Sequence, residues 1–182
     1  MREPFRVGIS HDFAIDAAGR YEAAVESVLG GQPHIQLELM PTAPDDWPTP
    51  TQLNSYDAIL ALNTRVGPPN LSGVERLALI ARWGVGYDRL DTGALTQSAI
   101  ALAITPNAVR RPVAEAALGL IFASTLNLVR QHQIVEDGQW RSALPRLGRN
   151  IAGRTLGSLG FGNIAKEMFR MASSLGFSSF LA

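Results

Sequence analysis

Two glycine clusters carry most of the chemistry this sequence could do. The later one is Gly160-Phe161-Gly162-Asn163-Ile164-Ala165, a Gly-x-Gly-x-x-Ala string. It follows a short apolar run, Thr155 to Leu159, and precedes a segment where Ile164, Met168, Met171 and Leu175 recur at helical spacing. Gly176 is placed to cap that helix, and Phe177 to Leu181 reads as the next strand. In this strand, turn, helix and strand setting each small residue has a task. Gly160 makes the tight turn, Gly162 admits an anion to the backbone, and Ala165 lets helix pack closely on strand. N–H groups at a helix start attract phosphate charge, so the string has the chemistry of a dinucleotide pyrophosphate site. The bland alternative is a structural glycine turn in an unrelated strand–helix–strand unit.

The earlier cluster lies in Arg82-Trp83-Gly84-Val85-Gly86-Tyr87-Asp88-Arg89-Leu90-Asp91. Two glycines one residue apart bring the backbone close to a ligand and aim N–H groups at an anion, since neither has a Cβ in the way. A carboxylate suits such a nest; a plain tight turn is the alternative. The three histidines, His11, His34 and His132, offer less. His11 follows the first strand and faces a possible cleft, His34 precedes a strand, and His132 sits late in a helix, where it complements the dipole. None has a carboxylate and nucleophile spaced as a catalytic set or metal site would need. With no cysteine, disulfides and thiolate chemistry are excluded.

The elements that must hold these clusters are short apolar runs alternating with helical segments, the pattern of an α/β fold with a mainly parallel sheet. Strands are expected at Arg6 to Ser10, Ile35 to Met40, Ala58 to Leu62, Leu77 to Ala81 and Ala99 to Ile104. Tyr21 to Leu29 reads as a helix closed by Gly30-Gly31, and Leu53 to Tyr56 as a helical turn. Pro41 to Pro50, with four prolines and two aspartates, reads as a loop, as does Asn63 to Ser72. The latter follows a strand's C-terminal end, where open α/β sheets bind ligands. Asp91 is a plausible N-cap for a helix over Thr92 to Gln97. Pro112 suits the first position of a long helix running to about Glu136, with Glu115 in its first turn and Asp137-Gly138 ending it. Its first half is apolar nearly all round, which calls for burial between two domains or two subunits.

Bulk properties exclude some classes. Lys plus Arg equals Asp plus Glu at 16 each, so no net field favours nucleic acid or an anionic membrane. All the basic residues but Lys166 are arginines. The N-terminal Met1-Arg2-Glu3-Pro4-Phe5 shows no export signal. Ala116 to Leu126 is well short of the roughly 20 apolar residues that span a bilayer. A reducing cytoplasm fits these features.

Taken together, Arg82 to Asp91, Thr105-Pro106, Val113-Ala114-Glu115, Gly138-x-Trp140 and Gly153-x-Thr155-Leu156-Gly157 through Ala165 resemble the D-isomer-specific 2-hydroxyacid dehydrogenase family, which includes phosphoglycerate dehydrogenases and glyoxylate/hydroxypyruvate reductases. The blocks cover roughly residues 55 to 182; the first 55 match only in strand and helix pattern. The resemblance implies a flavodoxin-like substrate domain over residues 1–104 and the first part of a Rossmann domain over 105–182. It implies NAD or NADP as cofactor, a small 2-hydroxy or 2-oxo acid as substrate, and a homodimer formed through the helix from Pro112. Val85 and Gly86 would offer N–H groups to the substrate carboxylate, with the Asn63-Thr64 loop closing over it. Gly160, Phe161, Gly162, Asn163, Ile164 and Ala165 would line the pyrophosphate. Arg110-Arg111-Pro112 departs from the small polar residues many relatives carry there. The family's ribose-binding acidic residue and its catalytic arginine, acidic residue and histidine have no counterpart before Ala182, so no catalytic residue is assigned and the chain alone is expected to be inactive. A dinucleotide-sensing, corepressor-like protein is the alternative function on the same fold.

Overall fold

The computed structural model describes residues 3–16 and 19–182; Met1 and Arg2, within the stretch read for an export signal, lie outside it. The chain forms two compact units that divide between Pro106 and Asn107.

In chain order the first unit contains β1 (Phe5–Ile9), α1 (Phe13–Asp16), α2 (Tyr21–Leu29), β2 (Ile35–Leu39), α3 (Pro50–Leu53), β3 (Ala58–Ala61), α4 (Pro68–Leu71), β4 (Leu79–Arg82), α5 (Thr92–Gln97) and β5 (Ala101–Ala103). All strand pairs are parallel, in the order β2-β1-β3-β4-β5. This is the flavodoxin-like arrangement expected from the alternation of elements. Strand alternation sorts the side chains. The row Gly8, Ile59, Ile80 and Leu102 shares one face, and there Ile59 and Ile80 are fully buried among Met40, Leu53, Tyr56 and Leu95. Each such aliphatic side chain contributes about 1.5–3 kcal/mol on burial. Gly8 is required by this packing, because a Cβ there would lie 2.9 Å from Met40 and from the Tyr56 ring. The opposite face presents Val7, Ile9 and Leu60 to α2, which covers it with Val25 and Leu29.

The expected loops hold more structure than their prolines suggested. Pro44–Asp46 forms a 3-10 turn and Pro50 opens α3, which lies three residues ahead of the helical turn expected from Leu53. Thr49 caps α3, with Thr49 and Gln52 exchanging side chain to backbone bonds. Proline at a first helical position costs no hydrogen bond, so α3 and α4 both start on one. Asp91 caps α5 as expected, accepting from the Ala94 N–H at 2.9 Å.

The second unit contains α6 (Arg110–Thr125), α7 (Leu128–Glu136), a 3-10 turn at Arg141–Ala143, β6 (Thr155–Gly157), α8 (Asn163–Ala172) and β7 (Ser179–Leu181). The single long helix expected from Pro112 is instead two helices bent by 61°. Asn127 takes a left-handed conformation, φ 59°, at the break. The broken ends are satisfied by the returning chain: the Arg149 N–H donates to the Thr125 carbonyl at 2.7 Å, and Asn127 Nδ2 to the Arg146 carbonyl at 3.3 Å. Gly148 permits that approach, since a Cβ would meet the Leu126 backbone at 2.9 Å. Pro112 is third in α6, not first, so Glu115 falls in the second turn and pairs with Arg111 at 2.8 Å. α8 ends at Ala172, and Gly176 belongs to the turn beyond it, where its carbonyl accepts from the Gly153 N–H. β6 and β7 pair in parallel, and α8 packs on α6 through Ala114, Leu118, Met168 and Ala172. Among the described residues no single helix is long and apolar enough to cross a membrane.

One ionic cluster ties the starts of the first unit's strands. Asp57 accepts from the Arg6 N–H at 2.7 Å and from Arg76 Nε and Nη2 at 3.0 and 2.9 Å. The Arg76 hydrogen bonds hold its carboxyl below the usual carboxylate range. A lowered folded-state pKa stabilises above the unfolded value and is lost as pH falls through the folded one. The thermal midpoint should therefore fall on acidification below about pH 4, and Asp57→Asn should flatten that part of the midpoint-against-pH curve. Parallel curves for the two proteins would show that Asp57 contributes nothing to acid sensitivity.

Candidate functional site

In a parallel sheet every strand delivers its C-terminal end to one edge, and the switch point of this strand order lies between β1 and β3. There Ser10 Oγ accepts the Leu62 N–H at 3.1 Å and donates to Asp12, whose other oxygen accepts the Asn63 N–H. Asp12, adjacent to the His11 that the sequence singled out, is thus the residue that joins the two strand ends. An aspartate three residues past a strand, with a serine two positions before it, is a short-range signal for such a turn.

The Asn63-Thr64 loop is held from several sides. The Asn63 carbonyl accepts Arg89 Nη1 at 3.0 Å, and Arg89 also pairs with Asp46 at 2.7 Å. The Arg65 N–H donates to the Asp46 carbonyl, and Val66 bridges to Leu90. Behind the loop Asn70, 3% exposed, accepts from the Gly67 N–H and donates to the Pro48 and Arg65 carbonyls. Thr64 is buried and lines a cleft of about 90 Å³ with Ser10, His11, Asp12, Thr42 and Asp46.

β4 runs directly into the Gly84-x-Gly86 turn. Gly84 has φ 145°, which favours glycine, and its carbonyl accepts the Thr105 N–H at 2.9 Å. The Val85 and Gly86 N–H groups make no hydrogen bond among the described residues. Both are therefore available to an anion, while Trp83 packs edge-on against Phe13 at 5.5 Å. Arg82 folds back over the turn, with Nε on the Gly86 carbonyl at 3.0 Å and Nη1 on that of Trp83. Burial lowers its pKa from the usual arginine value, Asp12 opposes that shift, and Arg89 adds to it. A guanidinium nevertheless stays charged in proteins. From the sequence alone Arg82 carries no role of its own; only its place two residues before Gly84 hints at one.

In the second unit the Gly160 to Ala165 string stands where the sequence put it, between β6 and α8. The Ser158 N–H continues the strand pairing onto the Leu181 carbonyl at 2.8 Å, and Ser158 Oγ then donates to the Gly160 carbonyl at 2.9 Å. Gly160 turns with φ 103°, and Gly162 is the N-cap of α8 with no side chain capping the helix. The first helical bond runs from the Lys166 N–H to the Gly162 carbonyl at 3.0 Å, leaving the N–H groups of Asn163, Ile164 and Ala165 ahead of it. No atom lies within 4 Å of where a Cβ on Gly160 or Gly162 would stand. Ala165, by contrast, is buried. Phe161 is half exposed and leans on Phe169 at 5.8 Å, with Lys166 Nζ 5.4 Å from its ring. Open space before a bare helix start fits a pyrophosphate: packing explains Ala165 and the left-handed φ explains Gly160, whereas neither explains Gly162.

Comparison with known proteins agrees with this geometry. Residues 20–175 match the family described as D-isomer specific 2-hydroxyacid dehydrogenase, catalytic domain, a match that begins well before residue 55. The chain is 33% identical over 113 residues to a hydroxypyruvate reductase of Thermotoga maritima, covering 62% of this chain and 37% of that protein. It is 30% identical over 149 residues to a glyoxylate reductase of Thermococcus litoralis, covering 78% and 45%. Among solved structures, a glyoxylate reductase from Paecilomyes thermophila superposes with TM-score 0.73 at 25% identity, over 98% of this chain and 55% of that one. An NAD-dependent formate dehydrogenase from Staphylococcus aureus, in complex with NAD, superposes with TM-score 0.79 at 18% identity, over 97% and 56%. The chain thus spans about half the length of these proteins or less. With the family match covering most of the sequence, this chain belongs to the D-isomer specific 2-hydroxyacid dehydrogenase family.

Proposed function

We propose that this chain supplies the substrate-carboxylate and cofactor-pyrophosphate contacts of an oxidoreductase that moves a hydride between a nicotinamide cofactor, NAD or NADP, and a D-2-hydroxy acid or its 2-oxo partner. The observation that carries this reading is the open, uncapped start of α8 behind Gly160 and Gly162, in a chain of this family. Residues 1–104 are assigned to substrate binding and 105–182 to the beginning of the nucleotide domain. Val85 and Gly86 would hold the carboxylate, with Asn63 and Thr64 beside it. Gly160, Phe161, Gly162, Asn163, Ile164 and Ala165 would hold the pyrophosphate. The nicotinamide, when bound, supplies the hydride chemistry; the chain's own residues bind, orient and neutralise charge. A cytoplasmic site of action, with no nucleic acid or membrane partner, accords with the balanced charge and absent cysteine.

We also propose that the chain self-associates through α6 and α7. Leu120, Val129, Val135 and Trp140 are all more than 60% exposed. A groove of about 330 Å³ lies between Ile134, Val135, Trp140 and Leu144. Light scattering should give a dimer mass for the native chain and a monomer mass for Leu120→Glu. A dimer that survives the substitution would move the interface elsewhere.

Gly162→Val separates the cofactor reading from a structural turn. Its Cβ meets no protein atom, so thermal stability should hold, whereas ADP-ribose at millimolar concentration should lose its effect on the Gly160 to Ile164 amide resonances by about tenfold or more, the cost of losing close backbone contact with an anion. Undiminished perturbation in the variant would remove Gly162 from the site.

Turnover requires an acid or base for the hydroxyl proton, typically worth about 10²–10⁴-fold in rate, and we assign none within residues 1–182. Purified chain should therefore not consume NADH or NADPH with glyoxylate or hydroxypyruvate, read at the nicotinamide absorbance. Substrate-dependent consumption would instead give His11 a catalytic role.

A further inference from the structure

Arg82 occupies an unusual place relative to the Gly84-x-Gly86 turn. A peptide group is planar, so fixing a carbonyl also fixes the N–H on the other side of the same plane. The Gly84 carbonyl is fixed by the Thr105 N–H at 2.9 Å, which orients the Val85 N–H. The Trp83 and Gly86 carbonyls are fixed by two different nitrogens of one guanidinium, Nη1 and Nε. The peptide that carries the Gly86 N–H lies between the Gly84 carbonyl plane, held by Thr105, and the Gly86 carbonyl plane, held by Arg82 Nε. That peptide can swing only if a neighbouring plane counter-rotates, and both neighbours are pinned. The guanidinium also stands 3.1–3.3 Å from where a Cβ on Gly84 would project, so a side chain there would press on the clamp as well as strain the φ of 145°.

We propose that Arg82 is a positioning residue: by clamping the Trp83 and Gly86 carbonyls it presets the Val85 and Gly86 N–H groups toward a carboxylate, without itself being the group that receives it. This rests on the reading of Val85 and Gly86 as the carboxylate nest. A preset nest spares the ligand the cost of ordering the backbone, and the half-buried positive charge behind it strengthens the field at the two N–H groups. A lysine cannot replace it. An ammonium is a point donor that reaches one carbonyl, whereas the planar fork reaches both.

The test is made on the whole 182-residue chain by 15N NMR, with glyoxylate as probe. In Arg82→Gln, hydrogen exchange at Val85 and Gly86 should accelerate and glyoxylate-induced shifts there should need about tenfold more ligand, the loss of one charge-assisted hydrogen bond. The thermal midpoint and the remote Gly160 to Ala165 resonances should stay in place. Arg82→Lys should not restore either amide readout, and it decides the matter alone if the glutamine variant does not fold. Unchanged exchange and unchanged ligand dependence in a folded variant, or full rescue by lysine, would overturn the proposal. If glyoxylate leaves the native Val85 and Gly86 signals unmoved, the carboxylate reading falls, while amide exchange still decides whether Arg82 sets the turn.

Discussion

The first unit depends on one constraint: strands of a parallel sheet all end at the same edge, and the backbone groups just past each end have no ladder partner there. Every buried N–H and carbonyl at that edge must find a partner elsewhere. The chain meets the requirement with side chains whose charge is used locally. Asp12 and Ser10 take N–H groups from the end of β3, Arg89 and Asn70 hold carbonyls of the loop beyond it, and Arg82 holds those past β4. Among the described residues, the Val85 and Gly86 N–H groups are among those the surrounding residues do not claim, which is what makes the turn a candidate anion site.

The second unit answers the same requirement at a helix start. Four N–H groups precede the first intrahelical bond of any α-helix. Side chains commonly cap them, as Asp91 does for α5 and Thr49 for α3. α8 instead begins on Gly162 with no side-chain cap. The two anion-binding candidates therefore share a principle while using different backbone forms. One is a turn whose carbonyls are gripped from behind; the other is a helix whose dipole faces open space.

Much of this was legible in the sequence because it follows from local rules. Alternation placed five strands to within two residues or so at each end, and the Asp91 cap and the Gly160 to Ala165 turn stand where residue type put them. The misses come from longer range. The helix expected from Pro112 to Glu136 has an unbroken helical pattern in its own residues. Its break falls at the left-handed Asn127, where the returning residues 146–149 supply partners. Proline-rich composition suggests loops, although proline also starts helices, and α3 and α4 each begin on one. Arg82 escaped notice because an arginine beside a glycine pair has no single reading until its side chain is seen to fold back. His11 drew attention by chemical type, yet Asp12 makes the structural bonds.

The break at Asn127 has a consequence for how this chain can vary. The Thr125 carbonyl and the Arg149 N–H meet at 2.7 Å, so residues between them form a closed excursion that leaves and rejoins the body at one point. The entropy of closing such a loop rises only slowly with its length, about 0.6 kcal/mol per doubling. The excursion, which holds α7 and its apolar groove, can therefore lengthen, shorten or be exchanged without disturbing the strand–helix–strand unit that follows. Gly148 and Asn127 are the hinge pins of that module: they tolerate the crossing that a larger or left-hand-averse residue would block. The apolar groove of Ile134, Val135, Trp140 and Leu144 is thus carried on the part of the unit most free to diverge.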